Sequence, residues 1–60
     1  MLKKIFAPRL RAGDLLIDPS GTWPITDVDR DGPIVRVTVA TSTGTMNLSM
    51  PFHTTAVIRR

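Results

Sequence analysis

The sequence predicts an all-β protein, folded as a small five-stranded barrel or as a strongly bent antiparallel sheet. Eight Thr, five Val and five Ile make the 60-residue chain rich in β-branched side chains, which fit a pleated sheet better than a helix. Short alternating segments are separated by turn residues at close intervals, as in small barrels. We expect one domain over residues 10–60, preceded by an N-terminal arm or an extra strand at residues 1–9.

The first two predicted strands flank a turn at residues 19–21, "PSG". A turn at residues 12–14 leads into the first strand at 15–18, and the second strand covers 22–28. Pro24 lies inside the second strand and cannot donate a ladder hydrogen bond. We therefore expect this strand to lie at an edge of the sheet or to carry a bulge at Pro24.

The third predicted strand, residues 34–41, has the clearest alternation in the chain. Its three valines fall on one face, which we expect to point inward. After a turn at 42–44, the fourth strand alternates Met46, Leu48 and Met50 with polar residues. We expect these three in the core, with an adaptable binding stripe as the alternative. A turn or short 3₁₀ segment at 51–55 precedes the final strand, "AVIRR". The inward valines are Val35, Val37 and Val39.

Residues 26–34, "TDVDRDGPI", match the first half of a calcium-loop pattern, D-x-D-x-D-G. The pattern requires a bidentate acid at its twelfth position, which here is Thr38, and a helix on each side, whereas these flanks are strand-like. Asp-Gly between two alternating strands is a strong hairpin signal. We therefore expect a tight turn rather than a metal site, with weak calcium binding as the alternative. The aspartates concerned are Asp27, Asp29 and Asp31.

Residues 10–58 have an L-x-x-G-D opening, a Trp-led second strand and a D-G hairpin. In these motifs the segment resembles the small SH3-like β-barrel proteins of actinobacteria and their phages. These motifs are structural, so the resemblance implies an SH3-like barrel and leaves the activity open. Pro24 directly after Trp23 departs from the pattern. The matching residues are Leu10, Gly13, Asp14, Trp23, Asp31 and Gly32.

No group of residues indicates catalysis. His53 is the only His, and a chain of this length rarely supplies the orienting group, oxyanion site and sheltered cleft that a triad needs. Cys is absent, which excludes zinc sites built on thiolates. We therefore expect a non-enzymatic protein with no cofactor, no metal and no small-molecule substrate.

The favoured function is a protein-binding module, whose partner is another protein or a second copy of this chain. A phage-encoded factor that engages a host protein is one form of this hypothesis. Trp23 is expected either in the core or, with Pro24, in a ligand groove. Ile34, if it points outward, and the consecutive residues Leu15 and Leu16 would leave apolar surface uncovered. The candidate contact residues are Trp23, Pro24, Ile34 and Leu16.

The alternative function is nucleic-acid binding by the basic residues near the chain ends. The net charge is +3, and six cations would form one patch if the termini lie close together. The same charge also serves solubility, and three aromatic residues give no stacking platform for single strands. The residues concerned are Lys3, Lys4, Arg9, Arg11, Arg59 and Arg60.

No apolar stretch approaches the ~20 residues that span a bilayer, and the start, "MLKKIFAP", is too short for a secretory leader. Absence of Cys fits a reducing compartment. We expect a complete, soluble, cytoplasmic protein without a membrane partner, located in the host cytoplasm if it is phage-encoded.

Overall fold

The computed structural model describes all 60 residues, from Met1 to Arg60. It contains six β-strands and one short 3₁₀ helix, which confirms the all-β prediction. No helix has the length and hydropathy required to cross a membrane. In chain order the elements are β1 (Leu2–Phe6), the 3₁₀ helix (Ala7–Arg9), β2 (Leu15–Asp18), β3 (Gly21–Asp31), β4 (Ile34–Thr41), β5 (Gly44–Pro51) and β6 (Thr55–Arg59).

The six strands form one antiparallel sheet in the order β1-β6-β2-β3-β4-β5. β1 and β5 lie at opposite edges, so the sheet does not close. An antiparallel sheet is one of the two expected forms, and it has six strands rather than five. The sixth strand is β1, which pairs with β6 from Leu2 opposite Arg59 to Phe6 opposite Thr55. The residues expected as an arm or a strand therefore include a strand. The alternation of apolar and polar residues in β1 is weak, because β1 is an edge strand and only its Ile5 packs against the core.

β3 is the longest strand and divides the sheet into two halves. Its residues up to Pro24 pair with β2, and those from Ile25 onward pair with β4. The register shifts between Ile25 and Asp27, which places a bulge at Thr26. Bulges bend and twist a strand. The first half-sheet is therefore β1, β6, β2 and the start of β3, and the second is the rest of β3, β4 and β5.

The structure corrects the expectations for Pro24. Pro24 stays in register opposite Leu15, and the bulge falls two residues later at Thr26. β3 is not an edge strand, because β2 and β4 flank it. The bulge lies where β3 changes partner, and this position depends on the sheet order rather than on the proline.

Both half-sheets contribute side chains to one core. The three valines of β4 are fully buried, which confirms the predicted inward face, and Leu16 and Ile58 reach the same core from the first half-sheet. Leu48 and Met50 pack against this core as expected, whereas Met46 is exposed. The buried apolar residues are Ala7, Leu10, Leu16, Ile25, Val35, Val37, Val39 and Ile58.

The predicted hairpin between β3 and β4 is confirmed, with Gly32 and Pro33 as its two turn residues. Gly32 has a φ of +60°, a value that side chains with a Cβ rarely adopt. Proline fixes a negative φ at the next position. Positive φ followed by negative φ, with Gly first, is the pattern of a type II′ hairpin turn. Gly32 is therefore required by the turn.

Candidate functional site

The outward surface of the first half-sheet is apolar. Strand pairing aligns Leu2, Arg59, Leu15 and Pro24 in one row across the four strands. A second row holds Lys4, Val57, Ile17 and Thr22, and Phe6 lies beyond it opposite Thr55. We call this surface the apolar face: Leu2, Phe6, Leu15, Ile17, Pro24 and Val57, together with the cations Lys4 and Arg59.

The apolar face is exposed to solvent. Leu2 is 57% exposed, Phe6 is 55% exposed and Val57 is 38% exposed, while Leu15 and Ile17 are half-buried. The register places no acidic side chain in either row. Single exposed apolar residues are ordinary, but a contiguous group on a small protein indicates an interaction surface.

The sequence explains why this face is apolar. Successive residues of a strand point to opposite sides of the sheet. Residues 15–17 are three consecutive apolar residues, so Leu16 enters the core while Leu15 and Ile17 point outward. Residues 56–58 behave in the same way, with Ile58 inside and Val57 outside. Continuous apolar runs of this kind are typical of strands covered on both sides.

The outward surface of the second half-sheet is polar. Its rows contain Asp29, Arg36 and Ser49, then Asp27, Thr38 and Asn47, with Asp31, Ile34 and Pro51 at the hairpin end. The Thr38 hydroxyl donates to Asn47 Oδ1 at 2.8 Å, and Arg36 Nη2 lies 3.2 Å from Asp31 Oδ2. Water solvates these groups well, so the second half-sheet offers no apolar surface comparable with the apolar face. We call it the polar face.

The four expected protein contacts do not form one surface. Leu16 is 6% exposed, so it is a core residue and cannot contact a partner, which corrects that expectation. Trp23 points inward beside Leu16 and packs against the core, whereas Pro24 points outward beside Leu15. Ile34 lies half-buried at the end of the polar face. The adjacent Trp23 and Pro24 form no groove, because neighbouring residues of a strand face opposite ways.

The Trp23 side chain lies near the turn that joins β2 and β3. The indole Nε1 is buried and makes no hydrogen bond. The Ser20 hydroxyl lowers the pKa of Asp18 most, the main-chain N–H groups of Ser20 and Gly21 lower that pKa further, and desolvation opposes the shift. Asp18 Oδ1 accepts from Ser20 N at 2.8 Å and from Gly21 N at 3.0 Å, which fixes the β2–β3 turn. This end of β3 is therefore organised as a turn rather than as a binding groove.

The six cations expected in one patch lie in different places. Lys4 and Arg59 are on the apolar face, and Lys3 is opposite Ile58 on the other side of β1. The other three line a pocket of about 330 Å³, together with Pro8. We call it the arginine pocket: Pro8, Arg9, Arg11 and Arg60.

A second, larger hollow of about 400 Å³ shares Pro8 and Arg11 with the arginine pocket. Asp27, Asp29 and Arg30 also line it, so both signs of charge are present. This mixture gives the second hollow no preference for a ligand of one charge.

The three aspartates of the calcium-like pattern lie along the extended strand β3. Residues two apart in a strand are about 6.6 Å apart along its axis, whereas a calcium loop folds its ligands around the ion. The first two carboxylates accept from the next main-chain N–H, at 3.0 Å for Asp27 and 2.9 Å for Asp29. No cluster of three or more His, Cys, Asp or Glu side chains has a metal-binding arrangement.

His53 is exposed and stacks edge-on against Phe52, with ring centroids 5.6 Å apart. The Arg30 guanidinium lies 5.8 Å from the Phe52 ring centroid. The His53 side chain makes no hydrogen bond. The surroundings of His53 therefore contain none of the hydrogen-bonded partners that a catalytic base requires.

Comparison with known proteins assigns no family: no protein-family model, curated protein or solved structure matches this chain. The two features that bear on function are the apolar face and the arginine pocket. They lie on different parts of the fold, because the first belongs to the rows of the half-sheet and the second to the 3₁₀ helix, the loop after it and the C-terminal residue.

Proposed function

We propose that this protein is a non-enzymatic binding module that engages another protein through its apolar face. The observation that supports the proposal is the group of outward apolar side chains in two neighbouring rows, interrupted only by Lys4, Arg59 and Thr22, on strands whose inward side chains already form the core. Folding does not require Leu2, Phe6 and Val57 on this side, since the core closes on the other side of the sheet. Apolar surface left exposed in this way is typical of interaction sites.

The charges of the apolar face favour a partner with an apolar centre and acidic residues around it. Lys4 and Arg59 lie within the rows, and no carboxylate accompanies them. Two copies of the chain docked through the same face would bring like charges together, which opposes association. An acidic partner would instead pair with both cations while covering the apolar side chains. We therefore infer a different protein rather than a second copy as the occupant.

The resemblance to small SH3-like barrels supports the class of function and nothing finer. Gly13 and Gly32 occupy turns with positive φ, and Asp14 is buried, so several matching residues have structural roles here. A phage-encoded factor that engages a host protein in the cytoplasm is the specific form of the proposal that this resemblance favours.

A random peptide library displayed on a carrier tests the proposal and does not require an identified partner. We expect the wild-type chain to enrich peptides with apolar residues flanked by Asp or Glu. Phe6→Ser combined with Val57→Thr should abolish the enrichment, because it removes two exposed apolar groups and keeps the strands. The matched control is Asn47→Ser with Ser49→Thr on the polar face, which should enrich the same peptides as the wild type.

Recovery of the same peptides by the Phe6/Val57 variant would contradict the proposal. Sedimentation of the free chain as a stable dimer that this variant dissociates would contradict the choice of occupant and assign the face to a second copy.

Nucleic-acid binding is the second candidate, and the arginine pocket is the observation that favours it. Fluorescence anisotropy of labelled DNA and RNA at several salt concentrations tests it. If all three arginines neutralise phosphates of duplex DNA, the log–log salt slope is about −2.7, at about −0.9 for each phosphate. A binding signal that does not depend on salt would reject this candidate.

A further inference from the structure

The arginine pocket carries only positive side chains. Arg9, Arg11 and Arg60 line its volume of about 330 Å³ with Pro8, and no acidic residue lines it. Two of the arginines come from the 3₁₀ helix and the loop that follows it, and the third is the last residue of the chain. Three guanidinium groups around one hollow repel one another unless an anion lies among them.

Arg60 is held in place by the residues behind the pocket. Its Nε donates to Asp14 Oδ1 at 3.0 Å, and its Nη2 lies 3.3 Å from Asp14 Oδ2 and 3.3 Å from the Arg9 carbonyl oxygen. Asp14 is 6% exposed, so its carboxylate is committed to this contact. Nη1 of Arg60 makes no hydrogen bond. The guanidinium is therefore fixed while one of its nitrogens keeps both N–H donors free.

Arg9 and Arg11 have side chains without protein partners. Neither guanidinium takes part in a hydrogen bond or an ion pair, and both residues are exposed. Their main chain is anchored, because Leu10 N donates to the Ala7 carbonyl at 3.1 Å and Arg11 N donates to Asp14 Oδ2 at 3.1 Å. Asp14 offsets one of the three positive charges. Among the side chains that line the arginine pocket and their direct partner Asp14, an excess of two positive charges remains, while Asp27 and Asp29 lie in the adjoining hollow that shares Arg11.

We propose that the arginine pocket binds a phosphate group. The planar fork of N–H donors in arginine matches phosphate oxygens, and a phosphate dianion has the charge that this pocket lacks. The phosphate belongs either to a small molecule, such as a nucleoside monophosphate, or to a nucleic-acid backbone. The pocket is separate from the apolar face, so this inference does not depend on protein binding. The phosphate proposal uses the same arginines as the nucleic-acid candidate, and it holds even if the chain binds no nucleic acid.

The first probe is inorganic phosphate, titrated into the ¹⁵N-labelled full chain at neutral pH, with chloride at matched ionic strength as the reference. The chain is prepared without a terminal tag, because a tag would disturb the hydrogen bond that Met1 N donates to the main-chain oxygen of Arg60 at 3.0 Å. We expect saturable amide shifts at residues 9–12 and at Arg60. Shifts that fail to saturate, or that chloride reproduces, would overturn the proposal.

The variant that tests the site is Arg9→Gln with Arg11→Gln. It removes two positive charges and leaves the Asp14–Arg60 pair intact, so we expect the fold to persist and the affinity for phosphate to fall at least tenfold. Lys3→Gln with Lys4→Gln is the matched control, since it removes the same charge from β1, and its affinity should change less than twofold. An equal loss in both variants would show non-specific attraction and overturn the site.

Two further probes identify the source of the phosphate. A nucleoside monophosphate that binds more tightly than inorganic phosphate, while a single-stranded oligonucleotide binds no more tightly per phosphate, supports the site with a small-molecule ligand. An oligonucleotide that binds more tightly, with a steep salt dependence, supports the site with a nucleic-acid ligand. If neither probe competes with inorganic phosphate for the shifts at residues 9–12, the proposed ligand class is wrong.

Discussion

Asp14 and Arg60 form an ion pair that joins positions 46 residues apart, with Arg60 Nε 3.0 Å from Asp14 Oδ1. Asp14 lies in the turn that enters β2, and its carbonyl also accepts from Ile25 N at 2.9 Å. One buried residue therefore connects the C-terminal end of the chain, the start of β2 and the bulged region of β3. Other small domains often join distant segments by a disulfide. This chain has no Cys, and the Asp14–Arg60 ion pair joins distant segments instead.

Asp14→Asn should destabilise the protein by roughly 1.5–3 kcal/mol, the range for hydrogen bonds to charged groups. The Arg60 hydrogen bond lowers the pKa of Asp14 below the usual 3.8, and desolvation opposes the shift. Stability from this group is therefore fully present above the unfolded-state pKa and is lost as pH falls through the folded pKa. Chemical denaturation at a series of pH values from neutral to acid measures the free energy of unfolding. Over this range the wild type should lose more stability than Asp14→Asn does. The exposed control Asp29→Asn should lose as much as the wild type.

Val37→Asp should prevent folding. Val37 is 0% exposed, and an unpaired carboxylate in that position has no water and no hydrogen-bond donor. Far-UV circular dichroism and a dispersed NMR spectrum would both be lost. Ser49→Asp is the control, because Ser49 is exposed on β5 opposite Arg36 and tolerates a charge. A folded Val37→Asp would mean that the inward face of β4 is misassigned.

Gly32→Ala should cost about 1–2 kcal/mol, because a Cβ at a φ of +60° is sterically strained. No neighbouring atom lies within 4 Å of the position a Cβ would take, so the cost comes from the backbone and not from crowding. Urea denaturation measures the change, with Ser42→Ala in another turn as the control. Equal stability of the two variants would contradict the assigned turn.

Phe6→Ser and Val57→Thr should each lower the free energy of unfolding by about 1–2 kcal/mol at most, because each side chain is only partly covered in the folded state. Substitutions on the apolar face can therefore remove binding while the protein stays folded, whereas substitution of a core residue affects both. Thermal denaturation of both variants checks this. A loss of several kcal/mol in either variant would place that side chain in the folding core and remove it from the interaction surface.

Sequence patterns predict those parts of the fold that depend on local chemistry. The alternation at residues 34–41 gives the bounds and the inward face of β4, and Asp31-Gly32 marks the hairpin. β1 is predicted only as one of two alternatives, an arm or an extra strand, because its two lysines weaken the strand pattern and the strand forms by pairing with β6. The bulge at Thr26 depends on where β3 changes partner, and no residue type at that position indicates it.

The candidate sites could be predicted only in part, because they combine distant segments. The run at residues 15–17 signals apolar residues on both sides of β2, but the sheet order decides that Leu2, Phe6 and Val57 join them. The basic residues at the chain ends are visible in the sequence. Their division between the arginine pocket and the apolar face follows from the register of β1 and β6 and from the position of the 3₁₀ helix.

The proposed role of the apolar face as the protein-binding surface can be tested by a single NMR titration. An acidic-apolar peptide from the displayed library is added to the ¹⁵N- and ¹³C-methyl-labelled chain. We expect the methyl groups of Leu2, Leu15, Ile17 and Val57 to shift and those of β4 to stay in place. Shifts confined to the polar face, to the arginine pocket or to the free edge of β5 would show that the peptide binds elsewhere and that the apolar face is not the binding surface.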